Sequence, residues 1–189
     1  MYNYILLKEN FYLWLHTTIV YAILFMVANN HKGQIMIKTC SVFGHSTIEI
    51  TKELENKLFE TMEDLIKQGC EFFYFGGFSM FDELCHKVVS KLKETHNHIK
   101  RIFCLTDPRH LRIGKRPKWL KNEDYEEFVY LDLEFDWWYK RIYYRNCAMI
   151  DKSDIVLFYV EERENSGAFK ALKYAKQKKK LIVNLTVEK

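Results

Sequence analysis

Short apolar runs alternate with amphipathic stretches along most of this chain, and that alternation predicts a mainly parallel sheet. Ile37–Phe43 (IKTCSVF) is apolar and rich in β-branched residues, and Gly44 closes it, as expected of a buried strand. Between Glu49 and Gln68, Ile50, Leu54, Leu58, Met62, Leu65 and Ile66 recur at helical spacing, with Gly69 just past the end as a terminator. Glu71–Phe75 reads as a second strand and Phe81–Thr95 as a second helix, with Leu84, Val88, Val89 and Leu92 on one face. Ile99–Leu105 is a third strand that Asp107-Pro108 breaks. After a helix through Trp138–Ile150, Asp154–Val160 (DIVLFYV) is the clearest buried strand. A helix at Ser166–Lys178 and a strand at Lys180–Leu185 complete the series. Strand and helix repeated with short connections imply right-handed crossovers. The expected fold class is therefore α/β: a Rossmann-like, doubly wound, mainly parallel sheet with helices on both faces.

Two segments stand outside this rhythm. Between Arg109 and Trp138 charge and aromatics mix with little periodicity, which predicts an irregular insertion over one end of the sheet. At the other extreme, no Asp, Glu, Lys or Arg occurs between Asn10 and His31, a length close to that of a membrane span. Residues 1–35 are thus either a membrane anchor, with Lys32 and Lys38 holding the following domain in the cytoplasm, or an over-extended start preceding a domain at Met36. The second reading is preferred, because Met36 directly precedes the first strand. Residues 36–189 are then one cytoplasmic domain, and a membrane is a partner only if the N-terminal segment is native.

Composition narrows the class further. The chain has 189 residues, 48% of them hydrophobic and 29% charged, which is globular and fits one such domain. A formal net charge of +4 is too small to imply nucleic acid by itself, and no such partner is expected. The basic run Lys173, Lys176, Lys178, Lys179 and Lys180 falls at a helix C-terminus, where cations are favoured in any case. Only continuity with Lys115, Arg116 and Lys118 would give it another meaning. Cys40, Cys70, Cys85, Cys104 and Cys147 form no CxxC pair and lie mostly in apolar runs, as buried reduced thiols do. No ligand spacing suggests zinc, and no metal is expected.

Candidate chemistry concentrates at the strand ends. Gly44-His45-Ser46 follows the first strand, Gly76-Gly77 the second, and Ser166-Gly167 the loop after DIVLFYV. Each opens towards a helix N-terminus, where free N–H groups and the dipole favour an anion. Neither GxxxxGK[ST] nor GxGxxG is present, which argues against P-loop chemistry and a standard dinucleotide fingerprint; no cofactor is expected.

VFGHS (Val42–Ser46), GGxxxFD (Gly76–Asp82), RNxxMxDxSD (Arg145–Asp154) and a final SGA occur in that order. In these segments residues 36–187 resemble the YpsA-like branch of the SLOG superfamily, relatives of the LOG phosphoribohydrolases and the DprA/SMF proteins. The resemblance implies a nucleotide-type ligand over the strand ends, faced by Gly44, His45, Gly76, Gly77, Asp82, Arg145, Asn146, Ser166 and Gly167. Ser46 and Phe81, beside these motifs, join the candidate ligand contacts. Where LOG enzymes carry PGGxGTxxE with a catalytic glutamate, this chain reads ENSGAFKAL (Glu164–Leu172), and YpsA-like relatives usually have Gly-Gly-Thr. These departures weigh against N-glycosidic hydrolysis and leave binding intact.

The leading expectation is a receptor for a nucleoside monophosphate or an ADP-ribose-like compound, in a chain that could also be a homo-oligomer. The alternative is a phosphoribohydrolase-like enzyme in which Asp82 is the acid or base and Arg145 holds the phosphate. DprA-like DNA binding is a third. Against these stand plainer roles: Asp82 as a helix cap, Arg145 in a salt bridge to Asp151 or Asp82, His45 as a hydrogen-bonded loop residue. Among the aromatics, Trp119, Tyr125, Phe128, Trp137, Trp138, Tyr139, Tyr143 and Tyr144 could stack on a base, but packing of the insertion is the default.

Overall fold

In a computed structural model, which describes residues 36–77, 79–107, 109, 121–130, 138–161 and 166–186, the chain from Ile37 onwards forms one compact unit. Its strands are β1 (Thr39–Gly44), β2 (Phe72–Phe75), β3 (Lys100–Leu105), β4 (Glu127–Tyr130), β5 (Ile155–Tyr159) and β6 (Leu181–Asn184). The helices are α1 (Lys52–Lys67), α2 (Met80–Lys93), α3 (Trp138–Lys152) and α4 (Gly167–Gln177). All strands pair in parallel, in the order β4-β3-β2-β1-β5-β6. The chain winds outwards from β1 to β4, returns through α3 to β5 beside β1, and then winds the other way. This is the doubly wound α/β arrangement that the alternating pattern predicts.

Alternation along β1 divides the core. Phe43 packs with Val156, Phe158, Met149, Ile150, Ala171 and Leu172 on the face covered by α3 and α4. Cys40 and Val42 point to the opposite face, where α1 and α2 pack together. Helix starts follow from side-chain caps: Thr51 accepts from Leu54 N–H, Ser79 from Asp82 N–H and Ser166 from Phe169 N–H. These caps place α1 and α2 within a few residues of the starts the periodicity suggests. All five cysteines are free and buried, and burial raises the Cys40 and Cys104 thiols to about 12.

The segment read as wholly irregular holds a strand. β4 pairs with β3 from Ile102↔Glu127 to Leu105↔Tyr130 and is half-buried throughout. Four half-buried residues carry neither a long apolar run nor a clean alternation, so their pattern does not announce a strand. The hydrophobic segment 1–35 and the residues around Lys115, Arg116, Lys118, Trp119 and Trp137 lie outside the described residues, as do the side chains of Trp138 and Tyr139. Among the described residues, no helix is long and apolar enough to cross a membrane.

Asp154 latches the two central strands at the end of the sheet opposite the glycine turns. Its carboxylate accepts from Lys38 N–H (2.8 Å), Thr39 N–H (3.0 Å) and the Thr39 hydroxyl (2.7 Å), while its own N–H donates to Thr39 Oγ1. Asp154→Ala strands those donors and should cost about 1–3 kcal/mol in urea denaturation, with the secondary structure by circular dichroism unchanged.

Candidate functional site

In open α/β sheets the crevice lies beyond the carboxyl ends of the strands where the winding reverses. Here that point is between β1 and β5, whose ends are level: Gly44 pairs with Tyr159. The turn after β1, the turn after β2 and the start of α4 surround it, spanning roughly 10 Å at two strand spacings.

The glycines on the β1–β2 side are explained by the protein's own packing. A Cβ on Gly44 would lie 2.3 Å from Cβ of Phe81, whose ring is fully buried and stacks on Tyr159. Phe81 thus forms the floor of the region and has no surface to offer a ligand. A Cβ on Gly76 would meet the Arg145 guanidinium at 2.6 Å. Gly77 has a φ of +72°, and a Cβ there would lie 2.4 Å from the Phe103 ring. Both turn geometry and contact therefore demand glycine at 77. Ser46 is exposed and its carbonyl accepts from Met80 N–H, tying the first turn to the start of α2.

Arg145 is 3% exposed and its donors face inwards. Nη1 donates to the carbonyls of Gly76 (2.8 Å) and Cys104 (3.4 Å). Nε and Nη2 both donate to Asn146 Oδ1, at 3.2 and 2.9 Å. Burial pushes the guanidinium pKa down, and the nearby Asp82 carboxylate pushes it back up. Asp82 is itself buried and accepts from Gly76 N–H (3.3 Å) and the Ser79 hydroxyl (3.3 Å). The peptide of Gly76 is thus held from both sides, its N–H by Asp82 and its carbonyl by Arg145. The structure gives Arg145, Asn146 and Asp82 an internal bracing role. Of the two salt-bridge partners weighed for Arg145, Asp82 is the one beside it; Asp151 instead accepts from the Tyr174 hydroxyl.

The β5 side differs. His45, 8% exposed, accepts from Glu161 N–H at Nε2 (3.1 Å), so the neutral ring carries its proton on Nδ1. Nδ1 lies 3.3 Å from Ser166 Oγ and donates to it. The same Oγ accepts from Phe169 N–H at 3.1 Å. With both lone pairs occupied, the Ser166 hydroxyl hydrogen must point to a third direction, where it is available as a donor. Next to it, a Cβ on Gly167 would meet no described atom within 4 Å, and Gly167 is exposed. Packing among the described residues does not call for a glycine at 167, unlike Gly44, Gly76 and Gly77.

At the end of β3, Asp107 accepts two bonds from Arg109 Nε (3.0 and 2.9 Å), and Arg141 Nη1 lies 3.9 Å away. Arg141 precedes Arg145 by one helical turn, so α3 carries two cations towards the strand ends. Sequence reasoning treated Asp107 only as a strand breaker and did not single out Arg109 or Arg141; the i, i+4 arginine spacing was the available signal. Tyr125 and Phe128, weighed as stacking platforms, pack against each other and against Phe103. His86 bonds the Asp124 carbonyl (2.7 Å), and its sequence neighbour Cys85 is buried. Phe78 and 162–165 of the last turn lie outside the described residues.

No protein-family model matches this chain, and neither does any curated protein.

Removing the Arg145 guanidinium strands two carbonyls and the neighbouring Asp82 charge. Arg145→Ala should lower the stability of the ligand-free protein by about 3–5 kcal/mol, read as a fall in melting temperature. Gly77→Ala should cost about 1–3 kcal/mol from the Phe103 contact, before any ligand is added.

Proposed function

We propose that this domain binds a nucleotide-type ligand, a nucleoside monophosphate or an ADP-ribose-like compound, as a sensor or signalling receptor. The phosphate is assigned to the N-terminus of α4, and the carrying observation is the relay from Glu161 N–H through His45 to Ser166. That relay turns the Ser166 hydroxyl into an oriented donor beside the backbone amides of the first turn, where the helix dipole already favours an anion. The glycine at 167 leaves those amides approachable. The location at the winding reversal and the resemblance of VFGHS, GGxxxFD and RNxxMxDxSD to YpsA-like SLOG sequences support the same reading. In this reading the β1–β2 turns are the rigid wall of the site, and Asp82 and Arg145 hold that wall.

The test is calorimetric titration of the full chain with AMP, ADP and ADP-ribose. Gly167→Ala separates site from scaffold. Its methyl has room and should leave stability equal or raised by up to about 1 kcal/mol, while obstructing the anion. The expected result is saturable heat with at least one ligand, weakened ten-fold or more in Gly167→Ala at an unchanged or higher melting temperature. No heat and no thermal shift with any of the three would overturn the proposal. Undiminished affinity in Gly167→Ala would remove α4 as the phosphate site.

A further inference from the structure

At the carboxyl end of β3 a guanidinium is gripped along one edge and presented along the other. Asp107, two residues past the strand, is only 9% exposed. Its carboxylate accepts from Arg109 N–H (2.9 Å), which closes a tight turn and fixes the arginine backbone. The same carboxylate accepts from Nε and Nη2 of the Arg109 side chain. A guanidinium spreads its N–H donors in one plane, and this pairing takes one on Nε and one on Nη2. No described residue accepts from the others, on Nη1 and the far side of Nη2, and the side chain is 73% exposed. Asp107 thus orients a fork whose outer edge has the geometry to take an oxyanion in two parallel bonds.

A second cation stands beside it, since Arg141 Nη1 lies 3.9 Å from the same carboxylate. α3 joins β5 through Ser153-Asp154 alone, so it runs antiparallel to the strands and starts at their carboxyl edge. Arg145 is level with that edge through its bond to Gly76, and Arg141, one turn earlier, stands about 6 Å beyond it. The first turn of α3 has no acidic residue and carries Lys140 and Arg141, although the helix dipole disfavours cations there. Helix stability therefore does not account for Arg141, and Arg109 alone already neutralises Asp107. In the strand order, β3 is three strands from β5, about 14 Å at the usual spacing. One phosphate cannot touch both Ser166 and this arginine pair. Two phosphates on opposite sides of one ribose can, once the arginine side chain and the hydrogen bonds at each end are counted.

We infer that Arg109 and Arg141 bind a second phosphate, so that the strand-end site selects a nucleotide phosphorylated at two positions of one ribose over a nucleoside monophosphate. The inference rests on the assignment of the first phosphate to α4. Calorimetric titration of the full chain with AMP, ADP, adenosine 3′,5′-bisphosphate and adenosine 2′,5′-bisphosphate tests it. ADP controls for charge alone, because its second phosphate adjoins the first and cannot reach the arginines. At least one bisphosphate should bind roughly ten-fold or more tighter than AMP and ADP. Arg109→Ala, at an exposed position, should remove that advantage at an unchanged melting temperature and move the AMP affinity less than about two-fold. Arg109→Lys keeps the charge without the fork and should still lose roughly five-fold or more for the bisphosphate. Gly167→Ala should weaken all the ligands that bind. Bisphosphates that bind no tighter than AMP, or an advantage that survives both Arg109→Ala and Arg141→Ala, would overturn the second-phosphate site and leave the α4 reading standing. Heat from none of the ligands would overturn both.

Discussion

A guanidinium taken out of water must find acceptors for its N–H groups, and the arrangement of the strand ends follows from where Arg145 finds them. It reaches the carbonyl of Gly76 at the end of β2 and that of Cys104 within β3, and Asn146 fills the other side. One side chain on α3 thereby bonds to two neighbouring strands at the carboxyl edge of the sheet. Asp82 completes the brace from α2 on the opposite layer, through the N–H of the same Gly76. Both helical layers are therefore registered against one peptide unit. A lysine could not replace the planar fork, since it cannot meet several acceptors in one plane.

This brace divides the edge of the sheet into two unlike halves. At the carboxyl ends of β1 and β2 the glycines are filled against: Phe81 lies on Gly44, Arg145 on Gly76 and Phe103 on Gly77. Backbone and side chain interlock there, so the turns are fixed in the ligand-free protein. Around β5 the polar groups form a hydrogen-bond relay in place of packing, and the residue beside it is open. Rigid wall and approachable amide are what a preorganised anion site requires, because the ordering cost is met in folding and not on binding.

The strands and helices were legible because their periods are clean: DIVLFYV is buried from Ile155 to Phe158, and Leu54, Leu58 and Met62 all face the core. The exception, β4, is short and half-buried, so its residues satisfy no period strongly. At the site, the glycines marked the turns correctly but not what occupies them. A glycine that admits a ligand and one that admits a phenylalanine ring look the same in sequence, since both signal only that a Cβ is excluded. The RNxxMxDxSD segment shows the same limit. Arg145 and Asn146 brace the strand ends, Met149 is core, Ser153 bonds the Met149 carbonyl, and Asp154 latches the far end of the sheet. Much of what reads as a motif of chemistry is a motif of tertiary bonding. Arg141 was missed because its meaning depends on Asp107, more than 30 residues earlier in the chain.

Whether such an edge holds a ligand or cleaves one depends on what its titratable groups are already doing. Hydrolysis of an N-glycosidic bond calls for a carboxylate or imidazole with a lone pair directed at water or the leaving group. The neutral His45 ring gives its Nε2 lone pair to Glu161 N–H and its Nδ1 proton to Ser166, so it acts towards that serine as a donor and not as a base. Asp82 accepts from Gly76 N–H and the Ser79 hydroxyl and lies beside the Arg145 guanidinium. An acid catalyst needs the opposite, a carboxyl whose pKa is raised by isolation from cations. The groups that the family resemblance would make catalytic are thus arranged to stabilise a fixed shape. The Ser166 hydroxyl, with its hydrogen directed away from both of the donors it accepts from, is suited to hold an anion. The proposal of recognition at this edge rests on these bonding commitments.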